Sequence, residues 1–204
     1  MKTRNKLIFI LLAILLVAVS VLGYLWHTNR GPFQGDRIAG LPSGHIRVLE
    51  TEPSPLDLLF HRHSYGGVSF NYFGESVHVY LAYYTRDELV FREPLASHAT
   101  AGDHEWSGSM HWGLTIEGDQ PGELRVRLIS GGAMSQTYFD FSQLAFEPSL
   151  TVGSTLADLN SPIVRGKRYV LQAWQTGGFV GQDMFDPEML ARSEHTAILY
   201  IVFE

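Results

Sequence analysis

Two hydrophobic periodicities divide this chain. From Leu7 to Trp26 there are twenty consecutive residues without a charge, dominated by Leu, Ile, Val and Ala. As a helix rising about 1.5 Å per residue, such a run covers roughly 30 Å, the hydrocarbon thickness of a bilayer. Beyond residue 44 the spacing changes to two. Leu124, Val126 and Leu128 alternate with Glu123, Arg125 and Arg127, and Ser130-Gly131-Gly132-Ala133 then leads into MSQTYFDF. This predicts a hairpin with one solvated face.

Val77, Val79, Leu81 and Tyr83 form one side of another strand, and His78, Tyr80, Ala82 and Tyr84 form a second side that is nearly as apolar. A strand apolar on both faces belongs in the middle of a sheet. Thr85-Arg86-Asp87-Glu88 reads as a turn into Leu89-Val90-Phe91, and TAILYIVF at 196 to 203 reads as a buried strand. One short helix is expected before it. Asp186 caps that helix, Pro187 suits its first turn and Glu188 favours its positive end.

Strand-like runs fall near 45 to 50, 56 to 62, 67 to 73, 76 to 84, 88 to 92, 111 to 117, 123 to 130, 134 to 141, 144 to 151, 168 to 175 and 196 to 203. The expected fold is therefore mostly β. It is an N-terminal transmembrane helix followed by a two-sheet antiparallel β-sandwich with one short helix before the last strand. The implied domains are a cytoplasmic tail (1 to 6), a signal anchor (7 to 26), a linker (27 to 44) and an extracytoplasmic domain (45 to 204). The linker HTNRGPFQGDRIAGLPSG holds four glycines and two prolines and shows no sustained period, which marks a tether.

Charge sets the orientation. Lys2, Arg4 and Lys6 precede the apolar run and only Arg30 closely follows it, so the N-terminus is expected in the cytoplasm and the rest outside. Tyr24 and Trp26 stand where interfacial aromatics belong. A cleaved signal peptide is the competing reading, but the small-x-small stretch Ala18-Val19-Ser20 lies inside the apolar run and not at its end. A signal peptide's apolar region would usually be only about 7 to 15 residues. Both readings export the domain.

Composition narrows the chemistry. The chain has no cysteine, which excludes disulfides, thiolate catalysis and cysteine-ligated zinc. None of Asn5, Asn29, Asn71 and Asn160 begins a glycosylation sequon. Together these lean towards a bacterial cell envelope. Without residues 1 to 30, eleven basic residues face twenty-one acidic ones, a net charge of −10 for the exported part. That balance repels phosphate backbones, and nucleic acid is not an expected partner. Eight histidines also lie there and would titrate between about pH 5 and 7.

The segment LLFHRHSYGGVSF at 58 to 70 poses a metal question. In a strand over 56 to 63, Leu56, Leu58 and Phe60 share one face, and Asp57, Leu59, His61 and His63 share the other. His61 and His63 would stand about 6 to 7 Å apart at Cα and reach one divalent ion together. Asp57, about 13 Å from His61, cannot join them. A third ligand would have to be His104 or His111. The cupin spacing fails, because Gly67 and Val68 stand where its glutamate would be. The His-Glu-x-x-His spacing begun by His104-Glu105 fails at Gly108. The favoured reading is a partly exposed sheet face whose imidazoles meet water or carboxylates. No cofactor is expected.

Trp106 and Trp112, in HEWSGSMHW, offer ring faces for stacking on a sugar, against the alternative that they fill the core as Trp174 is expected to do. Phe179 lies on a glycine-flanked loop and is a third candidate contact. Gly-x-Ser-x-Gly, Ser-x-x-Lys and Gly-x-x-x-x-Gly-Lys are all absent. The expected function is a membrane-anchored module that meets the bilayer through residues 7 to 26. It would bind an envelope glycan, another envelope component or a neighbouring membrane protein through Trp106, Trp112 and Phe179. The alternative is an exported hydrolase or metal-dependent enzyme using His61, His63, His104 and His111. A purely accessory subunit of a membrane complex is a third expectation.

Overall fold

The computed structural model describes residues 2–49, 62–117, 120–146, 150–153, 159–177 and 183–204, with side chains left undescribed at 2–5, 7, 62–64, 116, 117, 120 and 150–153. The apolar run forms α1 (Lys2–His27). It is long and apolar enough to cross a membrane. Its large side chains from Ile8 to Trp26 are mostly exposed, on every side of the helix.

Among the described residues nine strands follow: β1 (His45–Val48), β2 (Arg62–Thr85), β3 (Glu88–Glu117), β4 (Gln120–Ser130), β5 (Ala133–Asp140), β6 (Leu150–Gly153), β7 (Ser161–Pro162), β8 (Arg168–Thr176) and β9 (His195–Phe203). The expected short helix is α2 (Pro187–Leu190), and the Asp186 side chain accepts the Glu188 amide at 2.8 Å, as the sequence implies. All described strand pairs are antiparallel.

The strands form one continuous ladder, β5-β4-β3-β2-β9-β8-β6, with β1 paired to β2 and β7 paired to β1. The sandwich arises because β2 and β3 are long enough to serve both layers. In one layer β2 pairs through residues 62–74 with β1 and with 104–115 of β3, which continues to β4 and β5. In the other it pairs through 77–85 with β9, which continues to β8 and β6. The crossing lies at the register shift between Gly74 and Ser76, opposite residues 99 to 104 of β3, where Gly102 takes φ 103°. A bulge with a glycine conformation is how a long strand turns a corner.

Between the layers lies one apolar core. Val68 and Phe70, Val77, Val79 and Leu81, Leu124, Val126 and Leu128, and Leu199, Ile201 and Phe203 are each 0 % exposed. Phe70 meets Phe203 edge-on at 5.2 Å, and Phe141 meets Trp174 at 4.9 Å. The register shift between Val170 and Gln172 brings Leu171 and Gln172 both into the interior, and Gln172 accepts the Trp112 indole N–H at 3.3 Å. The far edges of the two layers also meet. Thr137 on β5 donates to the Leu95 carbonyl, His98 bonds Ser135 at 2.8 Å, and Phe91 lies 5.8 Å from Phe139. This seam is bridged by side chains. A second apolar cluster, with Tyr84, Val170, Ile198 and Tyr200, lies on the outer face of β2, β9 and β8, where Met184 and Leu190 cover it.

Two sequence readings change here. Residues 93 to 110, outside the predicted strands, complete β3, because pairing to β2 imposes extension on a stretch rich in Gly, Ser and His. Just before the predicted strand at 144 to 151 the chain makes a 3-10 turn over Phe141–Gln143, residues 144 to 146 follow it outside any strand, and among the described residues strand resumes at Leu150–Gly153. The predicted run at 56 to 61 lies outside the described residues.

Candidate functional site

The stretch expected to be a loose tether is fastened to the domain. α1 ends with Thr28 returning its hydroxyl to the Tyr24 carbonyl at 2.8 Å, and Asn29 adopts φ 50°, a left-handed helix-ending conformation that Asn tolerates. Asn29 is fully buried. Its amide donates to the Leu41 carbonyl at 2.7 Å and its oxygen accepts from Arg37 at 3.0 Å. The Gly40 amide closes the loop onto the Thr28 carbonyl at 2.8 Å.

From the sheet side, Asn71 projects from the outer face of β2 into this strap and is 1 % exposed. It accepts the Ile38 amide at 2.9 Å and donates to the carbonyls of Ile38 and Leu41 at 3.1 and 2.7 Å. Arg37 also pairs with Glu105 of β3. The glycines and prolines that suggest a tether serve turns instead, with Gly31, Gly35, Gly40 and Gly44 all at positive φ.

Three hollows stand out among the described residues, two of them beside this strap. A small one of about 250 Å³, lined by Trp26, His27, Arg37 and Ser43, sits where the helix meets the strap. On the other side of the Arg37–Glu105 pair lies a polar cleft of about 710 Å³, lined by Asp36, His104, Glu105, Ser107, Gly131 and Gly132. Its glycine wall is the β4–β5 turn, whose two central residues take φ 57° and 78°, the geometry that a two-residue hairpin demands. Trp106 lies behind that wall and meets His104 edge-on at 5.0 Å.

The third hollow is a shelf of about 310 Å³ on the outer face of β3, β4 and β5, lined by His111, Trp112, Gly113, Thr115, Arg125, Val126, Arg127 and Gln136. The registers His111↔Arg127↔Gln136 and Gly113↔Arg125↔Tyr138 set it out. Arg125 pairs with Glu123 at 2.6 Å and lies 5.6 Å over the Tyr138 ring. Arg127 donates to the Met134 sulfur at 3.1 Å. Desolvation, with the neighbouring Arg127 charge, holds His111 below its ordinary value, so it is neutral at physiological pH.

The structure separates the residues singled out from the sequence. Trp106 and Trp112 are each 5 % exposed, with their indole N–H groups bonded to the Gly74 carbonyl and to Gln172. Neither ring therefore presents a face for stacking, which corrects that expectation. Both point inward because alternation along β3 places 106, 110, 112 and 114 on the core side. His104 borders the cleft and His111 the shelf, so these two do not converge. Among the described residues no group of three His, Asp or Glu side chains is disposed to hold a metal. His61 and Phe179 lie outside the described residues, and of His63 only the backbone is described, in β2.

The residues missed were Arg125, Arg127 and Gln136. Their signal was present as the solvated positions of the predicted hairpin, but it pointed to exposure and not to a hollow. No protein-family model, curated protein or solved structure matches the chain.

Proposed function

We propose that the protein is a single-pass, membrane-anchored binding module of a bacterial envelope. In this reading its N-terminus is cytoplasmic, and its β-sandwich takes an anionic envelope component, such as an acidic glycan, on the β3–β4–β5 shelf. One observation carries the choice of surface. In a domain of net charge −10, the shelf holds Arg127, which pairs with no carboxylate among the described residues, beside the Glu123-paired Arg125 and the neutral His111 imidazole, around a hollow floored by Gly113. The Arg127 guanidinium and the Gln136 amide supply donors that match carboxylate and hydroxyl oxygens, while the Thr115 hydroxyl is engaged with the Glu123 backbone. The strap supports the membrane part of the reading, because it holds the domain at a set position relative to α1.

The test is binding of the full chain, in neutral detergent, to immobilised acidic and neutral polysaccharides. Acidic polymers are expected to bind with an affinity that falls as salt rises, because surface charge attraction is screened. Arg127→Gln and Gln136→Ala should each weaken that binding by about tenfold, equivalent to roughly 1.4 kcal/mol. Equal retention on neutral polymer, or unchanged binding by both variants, would overturn the proposal. Protease added to intact cells stripped of their outer wall tests the orientation, and should remove the domain.

A further inference from the structure

We infer that the outer face of β2, β9 and β8, on the layer opposite the shelf, carries a phosphate-binding site built from Arg92, Arg168, Tyr84 and Tyr200. The register sets it out. Tyr80 of β2 lies opposite Tyr200 of β9, and their rings stack at 5.4 Å and 26°. Arg92, from β3, lays its guanidinium 5.0 Å over Tyr80. Arg168, from β8, lies 4.8 Å over Phe185 and 5.9 Å over Tyr200. The aromatic stack is thus flanked by a cation on each side.

A guanidinium drawn to a ring by the cation–π attraction retains N–H donors for a planar, bidentate partner. The positive charges of both arginines act on the hydroxyls of Tyr84 and Tyr200, against the upward pull of burial. The two cations are therefore within reach of the same pair of phenols. Tyr84 is 9 % exposed and Tyr200 2 %, and burial keeps both phenols protonated as donors. Among the described residues the Tyr84 hydroxyl has no hydrogen-bond partner.

The arginines lack the partner that similar residues find elsewhere. Arg37, Arg125 and Arg165 each pair with a carboxylate, whereas among the described residues none lies within ion-pair distance of Arg92 or Arg168. Two guanidiniums without a carboxylate partner among the described residues border one stacked tyrosine pair, in a domain whose acidic residues outnumber its basic ones almost two to one. A tetrahedral phosphate presents oxygens to both guanidinium edges and to the Tyr84 hydroxyl at once, and such charge-assisted bonds are about twice as strong as neutral ones.

The experiment titrates inorganic phosphate into the full chain in neutral detergent, against sodium chloride of equal ionic strength, by calorimetry and thermal unfolding. Saturable binding of one phosphate is expected, with a rise in Tm that chloride does not reproduce. Arg92→Gln and Arg168→Gln should each weaken it at least tenfold, and Tyr84→Phe several-fold while unfolding like the parent without phosphate. Arg127→Gln on the shelf should leave it intact, which separates this site from the proposed glycan surface. Absence of saturable binding, or equal binding by both arginine variants, would overturn the inference. Acetate binding as tightly as phosphate would overturn the assignment to phosphate. Competition by glycerol 1-phosphate in detergent assigns a soluble or polymeric ester, and competition only in discs containing phosphatidylglycerol assigns a lipid headgroup; each supports the site.

Discussion

Replacing Asn71 with alanine should detach the strap and leave the sandwich folded. The side chain makes three hydrogen bonds to the strap, with Ile38 N–H, Ile38 C=O and Leu41 C=O, at 2.9, 3.1 and 2.7 Å. At about 1 kcal/mol net for each, the direct loss is about 3 kcal/mol. Leu41 keeps its bond from Asn29, so the groups left bare are those of Ile38. Leaving them buried without partners would cost a further ~1 to 3 kcal/mol each, more than letting the strap lift and rehydrate. Local opening is therefore the cheaper response.

The assay is hydrogen exchange of the full chain in detergent, followed over residues 30 to 44. Protection of the Ile38 and Gly40 amides should fall by about a hundredfold, since each 1.4 kcal/mol is a factor of ten. Amides of β9, whose ladder to β2 runs from Val77↔Phe203 to Thr85↔His195, should barely change. Equal strap protection in parent and variant would refute the argument. So would a parent strap that already exchanges as fast as an unfolded chain.

Three further outcomes test the packing. At Gly108 an added Cβ would sit 2.0 Å from the Ile129 carbonyl oxygen, so Gly108→Ala should abolish soluble folded protein, read as yield and loss of cooperative melting. At Gly66 the Cβ would sit 2.3 Å from the Trp112 ring, which can swing away, so Gly66→Ala should fold but lose about 2 to 3 kcal/mol and redshift the tryptophan emission. His98 bonds Ser135 across the seam, rests near Trp106, and has its Nδ1 buried without a partner. Burial lowers its affinity for a proton in the folded state. Its contribution to stability is then full above the unfolded value near 6.5 and is lost as pH falls through the lower folded value. Melting temperature should drop more steeply from pH 7.5 to 5 in the parent than in His98→Gln, and parallel curves would count against this reading.

The sequence by itself determined what depends on near neighbours. The length of the run from Leu7 to Trp26 decides that one helix is apolar enough for a bilayer. Alternation at 77 to 83, 124 to 128 and 196 to 203 decides which side chains face a core, and Asp186-Pro187-Glu188 decides where α2 begins. Even the inward side of Trp174 followed from its neighbours, and it is 0 % exposed. Tertiary structure decided everything that needs two distant strands in one place. Residues 93 to 110 are strand because β2 extends beside them, and Trp106 and Trp112 are buried because that strand's inner face already belongs to the core. Residues 27 to 44 are a strap because Asn71 and Glu105 reach out of β2 and β3 to hold them. The charged surfaces at Arg125 and Arg127, and at Arg92 and Arg168, depend on which strands lie side by side. Local periodicity specifies a face, but cross-strand register specifies a neighbour, and register is set by bulges and corners whose energetics span the whole sheet.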